Sequence, residues 1–143
     1  MTSPDYHGAE RSMQLAIDMA EISPKHVDYI NAHAIGTPEG DKSETKAIKA
    51  VFKEGAYRIK VNATKSITGH LFGAAGGIEA IITLKVFEED KIPPTINLTV
   101  PDEDCDLDYI PNKAIKHEVN YAISNGFGFG GHNASLLLKK YIK

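Results

Sequence analysis

The chain of 143 residues is 42% hydrophobic, 24% charged and 8% aromatic, a composition that indicates one globular domain and excludes disordered, collagen-like and coiled-coil chains. Its 16 Lys and Arg against 19 Asp and Glu give a formal net charge of -3, so no basic field is available to hold a nucleic-acid backbone. The single cysteine, Cys105, excludes an internal disulfide and a multi-thiolate metal site.

The sequence also carries no sign of export or of membrane insertion. The N-terminus lacks the charged and apolar regions of a signal peptide. The longest apolar stretch, 71–87, is interrupted by glycines and charges and is shorter than the roughly 20 apolar residues of a membrane span. We therefore expect a cytoplasmic chain whose partners include neither a membrane nor a nucleic acid.

Hydrophobic periodicity predicts alternating helices and strands in the first ninety residues. Apolar residues three and four apart predict the helices, and apolar–polar alternation predicts the strands. Because the first helix has no strand before it, although such a helix normally joins two parallel strands, we expect a strand to be missing upstream of the first residue. The helices are predicted at 9–21, 41–52 and 71–88, and the strands at 27–33 and 58–64.

The last third of the chain is predicted to form an irregular excursion followed by a hairpin. The proline pair at 93–94 cannot continue a helix, so 90–118 is expected to hold little regular structure. Strands predicted at 119–124 and 133–139 flank a glycine-rich connection at 126–132. The sequence thus predicts an α/β fold with a mixed sheet edge, in which sites form at the C-terminal ends of the parallel strands.

Two histidines stand at matching places in this alternation. His33 ends the first predicted strand and His70 follows the second, so parallel pairing brings both to the same edge of the sheet. Two neutral imidazoles that converge can donate N–H bonds to a developing oxyanion, or one can act as a general acid or base. The alternative is that each histidine is structural. A metal pair is not favoured, since no third ligand stands at helical or hairpin spacing.

Charged residues lie close to both histidines in the sequence. Lys65 could pair with Asp41 or Glu44 and set the charge around the imidazoles; alternatively, Lys65 is solvated and the two acids only cap the second helix. Glu79 is the only acid between Leu71 and Phe87 in a small-residue-rich helix, where a buried carboxylate needs a partner or a cation. Its expected partners are the strand-end groups Asn31 and Asn125.

The connection GFGFGGH at 126–132 has two interpretations. In one, its backbone N–H groups bind an anion while Phe127 or Phe129 acts as a hydrophobic gate. In the other, it is a flexible hairpin with two core phenylalanines. Nucleotide binding is not favoured for the glycines around His70, because the GK[ST] ending of a P-loop and the GxGxxG pattern are absent there.

Six segments are distinctive when they are taken together: NAH at 31–33, GDKSETKAIK at 40–49, TKSITGHLFGAAGGIEA at 64–80, IPPTINL at 92–98, CDLDYIPN at 105–112 and SNGFGFGGHN at 124–133. They resemble the C-terminal half of a β-ketoacyl-[acyl-carrier-protein] synthase, with the closest likeness to the type II elongating enzymes of bacterial fatty acid synthesis. The resemblance implies one partial thiolase-like domain over 1–143. It also implies a five-stranded sheet whose first, central strand is missing, leaving a gap, two unpaired edges and low stability alone.

The resemblance implies a condensing reaction. In the family, a cysteine takes an acyl chain from acyl carrier protein, malonyl carrier protein is decarboxylated, and the resulting carbanion extends the chain by two carbons. By resemblance, His33 and His70 bind the malonyl thioester carbonyl and support decarboxylation. Lys65 organises His70, with Asp41 and Glu44 in its charged network.

The same resemblance implies roles for the glycine-rich connection and its surroundings. Phe129 contributes its backbone N–H to an oxyanion hole and, with Phe127, gates the acyl pocket. A buried monovalent cation occurs in some members, and no other cofactor is implied. The positions matching that cation are Asn31, Glu79 and Asn125, and those matching the substrate, pantetheine and gate region include Thr37, Gly128 and Gly130.

Three departures from the family pattern bear on function. The family's nucleophilic cysteine lies in the N-terminal half and Cys105 does not replace it, so the chain is expected to be inactive alone. Ile35 stands where a threonine hydroxyl normally helps hold the pantetheine arm. Met1 falls within a stretch that resembles an internal MTAPDPEG segment, so the chain is expected to begin mid-domain.

Two hypotheses about function follow from the resemblance and its departures. In the first, the chain completes a condensing site together with an N-terminal synthase half or a homodimer mate. Its substrates are then acyl and malonyl groups linked through phosphopantetheine to acyl carrier protein. In the second, the chain is a non-catalytic remnant or accessory subunit derived from such an enzyme.

Overall fold

The computed structural model describes residues 5–142, which form a layered α/β structure around a four-stranded mixed sheet. A separate two-stranded ribbon lies outside this sheet. In the described part of the chain, no helix combines the length and apolar character needed to cross a bilayer. The elements in chain order are α1 (Tyr6–Met19), β1 (Tyr29–Asn31), α2 (Pro38–Phe52), β2 (Lys60–Asn62), α3 (Lys65–Thr68), α4 (Ala75–Glu89), β3 (Lys91–Ile92), β4 (Ile115–Lys116), β5 (Tyr121–Phe127) and β6 (Asn133–Lys139).

The strands of the main sheet are contiguous in the order β2-β1-β5-β6. β1 is parallel to both β2 and β5, and β6 is antiparallel to β5. The predicted gap beside a missing central strand is therefore wrong, because β1 and β5 pair directly. Asp28 fixes this pairing: its N–H donates to the Tyr121 carbonyl at 2.9 Å, and its carboxylate accepts the Asn120 N–H at 2.8 Å.

The core is divided between the two faces of the sheet, as the period-2 alternation of a strand requires. On one face, Met13 of α1 and Ile48 of α2 pack with Ile30 of β1. On the other face, Tyr29 of β1 packs with Val86 of α4. This arrangement confirms the predicted α/β architecture, with helices covering both faces of the sheet.

α2 begins earlier than the sequence pattern predicts. Pro38 is its first residue, preceded by Thr37, whose side chain makes no capping hydrogen bond. Asp41 and Glu44 therefore lie inside the helix, and the interpretation that they cap it is wrong. A proline at the first helical position is favoured because its fixed φ suits the helix and its missing N–H would have no partner there.

The predicted helix over 71–88 is shorter in the structure. The chain after β2 forms the short helix α3 and then turns at Gly69, whose φ is +73°. Phe72 also has a positive φ, of +49°, and α4 begins only at Ala75. These two left-handed residues break the helical path and bring His70 to the surface.

The excursion over 90–118 contains little regular structure apart from the β3–β4 ribbon, in which Ile92 pairs with Ile115. The part of it from residue 95 to residue 112, which we name the 95–112 segment, runs along β2. The Val61 N–H donates to the Asp108 carbonyl at 2.9 Å, and the Ala63 N–H donates to the Thr95 hydroxyl at 3.0 Å. The β5–β6 hairpin is confirmed, in register over seven residue pairs.

Candidate active site

His33 and His70 meet at the edge of the sheet where the parallel strands end, as the sequence predicts. Their ring centroids lie 5.7 Å apart and the rings are nearly perpendicular, at 86°. The Phe127 ring, at the end of β5, lies 5.5 Å from that of His33. The three rings come from three separate parts of the chain, so the fold itself assembles this group.

The environment of His33 keeps its imidazole neutral. Burial, the positive charge of Lys65 and the proximity of His70 together lower the pKa of His33 from 6.5 to about 4. At pH 7 the ring therefore carries one N–H donor and no charge. Such a ring can donate a hydrogen bond to an oxyanion without first losing a proton.

His70 is oriented by its own chain neighbours. The Phe72 N–H donates to Nδ1 of His70 at 3.3 Å, and the Phe72 ring stacks on the imidazole with a centroid distance of 4.9 Å. Since Nδ1 accepts, the proton of a neutral ring is on Nε2. The role of Phe72 in orienting His70 was not predicted, because no sequence pattern signals a left-handed conformation at a non-glycine residue.

The turn that presents His33 is held by the carboxylate of Glu44. It accepts the N–H of His33 at 2.9 Å and that of Ala34 at 2.8 Å, and the Asn125 amide donates to it at 3.0 Å. Burial raises the pKa of Glu44, and the two backbone hydrogen bonds oppose that rise. Glu44 thus lies beside His33, where it fixes the backbone on which that histidine stands.

Lys65 pairs with Glu79, so both alternatives that the sequence left open, pairing with Asp41 or Glu44 and a solvated Lys65, are wrong. The two side chains form a hydrogen-bonded ion pair and are only 5% and 3% exposed. Burial raises the pKa of Glu79 and the Lys65 ammonium opposes that rise. Lys65 still acts on the histidines as expected, since its charge contributes to the low pKa of His33.

Asp41 has a different role from the one predicted. Its carboxylate accepts the Gly36 N–H at 3.2 Å, near the start of α2. Burial is the main cause of its raised pKa, which the negative charge of Asp102 raises further. Asp41 therefore stabilises the turn after β1 and is influenced by Asp102 of the 95–112 segment. It does not pair with Lys65.

The residues predicted to surround a monovalent cation do not form one ligand set. Asn31 donates to the Glu79 backbone carbonyl at 3.2 Å on the α4 face of the sheet. Asn125 lies on the opposite face, where it donates to Glu44 and accepts from Ser135. The carboxylate of Glu79 pairs with Lys65. The predicted contact of Glu79 with Asn125 is therefore wrong, and Asn31 contacts only the backbone carbonyl of Glu79.

The donor set therefore does not fit a shared cation. Within residues 5–142, no group of three or more His, Cys, Asp or Glu side chains is arranged to hold a metal ion. Among those same residues, every buried side-chain nitrogen and oxygen has a hydrogen-bond partner.

The glycine-rich connection projects from the sheet beside the histidines. Gly130 and Gly131 adopt φ values of +76° and +80°, and the Gly128 N–H donates to the His132 carbonyl at 2.7 Å. Phe129 is 90% exposed, so the interpretation of two core phenylalanines is wrong for this residue. Phe127 is half-buried and packs against the core.

The turn predicted to hold pantetheine is open to solvent. Ile35 and Thr37 are both exposed. Cys105 is half-buried in the 95–112 segment, and burial raises the pKa of its thiol. A raised pKa lowers the thiolate fraction that a nucleophilic cysteine requires.

Comparison with known proteins gives consistent matches over this structure. Residues 1–99 match the family model described as the C-terminal domain of beta-ketoacyl synthase. The chain is 52% identical over 139 residues to 3-oxoacyl-[acyl-carrier-protein] synthase 2 of Staphylococcus aureus (strain COL), covering 97% of this chain and 34% of that protein. It is 51% identical over 138 residues to the protein of the same name from Synechocystis sp., covering 96% of this chain and 33% of that protein. The chain thus spans about a third of the length of these relatives.

Solved structures match the fold over the same region. The ketosynthase of the AntDE:AntF complex, described as a type II polyketide acyl-carrier protein with its ketosynthase, superposes with a TM-score of 0.95 at 38% identity. That match covers 99% of this chain and 35% of the other. A beta-ketoacyl synthase from Burkholderia phymatum STM815 superposes with a TM-score of 0.93 at 37% identity, covering 99% of this chain and 34% of the other.

Proposed function

Because the chain belongs to the β-ketoacyl synthase family, of which it carries the thiolase-like C-terminal domain, we propose that it supplies the two-histidine part of a 3-oxoacyl-[acyl-carrier-protein] synthase. The proposed reaction condenses an acyl thioester with malonyl carrier protein in fatty acid elongation. The observation that carries the proposal is the His33–His70 pair, 5.7 Å apart at the strand ends, with His33 held neutral.

The proposed chemical step uses these imidazoles as hydrogen-bond donors. The malonyl thioester carbonyl oxygen accepts N–H bonds from His33 and His70. Cleavage of the bond to the carboxylate releases carbon dioxide and leaves its electron pair in an enolate, whose charge the two donors stabilise. The enolate carbon then attacks the carbonyl carbon of the acyl group carried on the cysteine, a carbon–carbon bond forms, and the cysteine sulfur leaves as a thiolate.

Supporting residues keep this pair in the required state. The Lys65 charge disfavours protonation of His33, so the ring remains a neutral donor. Glu44 fixes the backbone of His33, and the Phe72 N–H, by donating to Nδ1 of His70, leaves the proton of the neutral ring on Nε2. In this proposal, Phe129 offers its backbone N–H to the acyl carbonyl as the chain transfers.

The cysteine nucleophile must come from a second segment in this proposal. Cys105 lines a cavity to which neither His33 nor His70 contributes, and its thiol has a raised pKa. An apolar surface beside the site is available for a companion half. It comprises Ile67, Leu71, Phe72, Ile81 and Leu84, each exposed by 39% or more. We therefore propose that an N-terminal synthase half covers this surface and that the chain alone does not condense.

Acyl carrier protein is the proposed donor of both substrates. The AntDE:AntF structure describes a ketosynthase together with its acyl-carrier protein. In this chain, the phosphopantetheine arm would enter beside Thr37 and the glycine-rich connection, where Phe129 is exposed. Ile35 offers no hydroxyl to the arm, which is the one observation that favours a non-catalytic accessory subunit.

The proposal is tested by carbon dioxide release from malonyl carrier protein. The chain is mixed with an N-terminal half that carries the cysteine, and His33→Asn and His70→Asn are compared with His7→Asn, a change at an exposed histidine outside the site. Loss of decarboxylation in the first two variants alone supports the proposal. Equal decarboxylation rates in the mixtures with all three variants would contradict it. If the unsubstituted chain forms a stable complex with the N-terminal half but releases no carbon dioxide, the accessory subunit is favoured.

A further inference from the structure

A second cavity lies behind the turn that carries His33. Its volume is about 1070 Å³, and it is bounded by α2, the turn after β1, the end of β2 and the 95–112 segment. Of the residues that the structure describes, His33, His70 and Phe129 are not among those that line it. The volume is close to the upper end of the range for small-molecule sites, which is about 300 to 1,000 Å³.

The wall of this cavity is mainly apolar with a few convergent polar groups. Ile48 of α2 and Leu107 of the 95–112 segment are buried and supply apolar surface. The Thr45 hydroxyl and the Tyr109 hydroxyl are hydrogen-bonded at 2.6 Å within the same wall. An apolar wall with fixed polar groups is typical of a site for a compact organic molecule.

The charge in the cavity has one sign. Asp41 and Asp102 both line the cavity. Burial raises the pKa of Asp41, and the negative charge of Asp102 raises it further. Neither carboxylate forms an ion pair in the described part of the chain, whereas Asp106 and Asp108 pair with Lys49 and Lys60. Asp41 is half-buried and Asp102 is exposed, and a cation that binds to both carboxylates would relieve the repulsion between them.

We propose that this cavity binds a small organic cation, an apolar amine whose ammonium group lies between Asp41 and Asp102 and whose apolar body packs on Ile48 and Leu107. A metal ion is the poorer occupant, since no metal-binding group of acidic, His or Cys side chains exists within residues 5–142.

Occupancy of the cavity bears on the histidine site through the turn after β1. Asp41 accepts the Gly36 N–H, and Glu44, which also lines the cavity, accepts the His33 N–H. A ligand held by Asp41 therefore lies in a cavity that is also lined by Glu44, the residue that fixes the His33 backbone. The test of this proposal is independent of the proposed condensation, because binding is measured without substrate or turnover.

The test uses three probes that share one ring and differ in charge: benzylamine, benzyl alcohol and benzoate. Cys105 is the only cysteine and lines the cavity, so its alkylation by neutral iodoacetamide reports occupancy. Benzylamine is expected to protect Cys105 at concentrations about tenfold lower than benzyl alcohol, since charge-assisted hydrogen bonds are stronger than neutral ones. Benzoate is expected to give no protection.

Two matched substitutions locate the charge. Asp41→Asn keeps the oxygen that accepts the Gly36 N–H and is expected to abolish the preference for benzylamine. Asp104→Asn removes a carboxylate of the same segment that pairs with Lys42 outside the cavity lining, and is expected to leave that preference intact. The titrations are repeated on the mixture with the N-terminal half, so the stability of the chain alone does not decide the result.

Amide spectra provide the second readout. Benzylamine is expected to shift the amide resonances of Ala34, Thr45 and Tyr109, which line the cavity. Equal protection by all three probes, unchanged resonances at these amides, or a preference that survives Asp41→Asn would overturn the proposal. So would equal protection by sodium or magnesium ions at the same ionic strength, which would indicate a general counterion effect.

Discussion

Replacement of Lys65 by methionine is the most informative single change, because Lys65 has two separable effects. It neutralises the buried carboxylate of Glu79, and it lowers the pKa of His33. Lys65→Met leaves Glu79 without a partner, and breaking a buried ion pair in this way costs about 3 to 5 kcal/mol. It also removes one cause of the low His33 pKa, which should rise from about 4 toward 6.5 without reaching it, since burial remains.

The double variant Lys65→Met with Glu79→Gln separates these effects. It removes both charges together, so most of the free energy of unfolding should return, while the His33 pKa should stay raised. Urea unfolding gives the first quantity, and an NMR pH titration of the His33 ring protons gives the second. A His33 pKa that stays near 4 in both variants would refute the electrostatic role of Lys65.

The remaining predictions concern the same site and its core. The His33 pKa is lowered on folding from 6.5 to about 4, so only the unfolded chain binds this proton between those values. The free energy of unfolding should therefore fall as pH decreases through that window, by at most about 1.4 kcal/mol per pH unit. His33→Gln should remove this part of the slope in urea titrations, and an unchanged slope would contradict it. Glu44→Ala leaves the His33 and Ala34 N–H groups without their acceptor, so it should lower the free energy of unfolding by about 2 kcal/mol. A loss below about 0.5 kcal/mol in the same urea titration would show that water replaces the carboxylate. Met13→Ala in the α1 core should lower the free energy of unfolding by about 2 to 5 kcal/mol, and a smaller loss would indicate that the core closes over the deleted side chain.

The meeting of the two histidines was predictable from sequence because parallel neighbouring strands end at one edge of the sheet, and His33 and His70 follow two such strands. The turn at Gly69 and Phe72 that presents His70 was not predictable. The partner of Lys65 was not predictable in the same way. It depends on the break at Gly69, where a φ of +73° separates α3 from α4 and lets Lys65 reach Glu79.

The failed cation prediction has a related physical cause. Asn31 and Asn125 stand near strand ends in the sequence, but a side chain's face depends on the register between strands. Asn31 aligns with Ser124, so Asn125, one residue on, lies on the other face of the sheet. Residue type and spacing along the chain do not determine the register between two strands. They also do not determine that β1 pairs directly with β5.

The central claim is that this domain completes a condensing site only with a cysteine-bearing half. The most direct measurement is formation of a 3-oxoacyl product from acyl and malonyl carrier proteins, with the chain alone, the N-terminal half alone and the two mixed. We predict product only in the mixture. Product from the chain alone, or no product from a mixture that forms a stable complex, would contradict the claim.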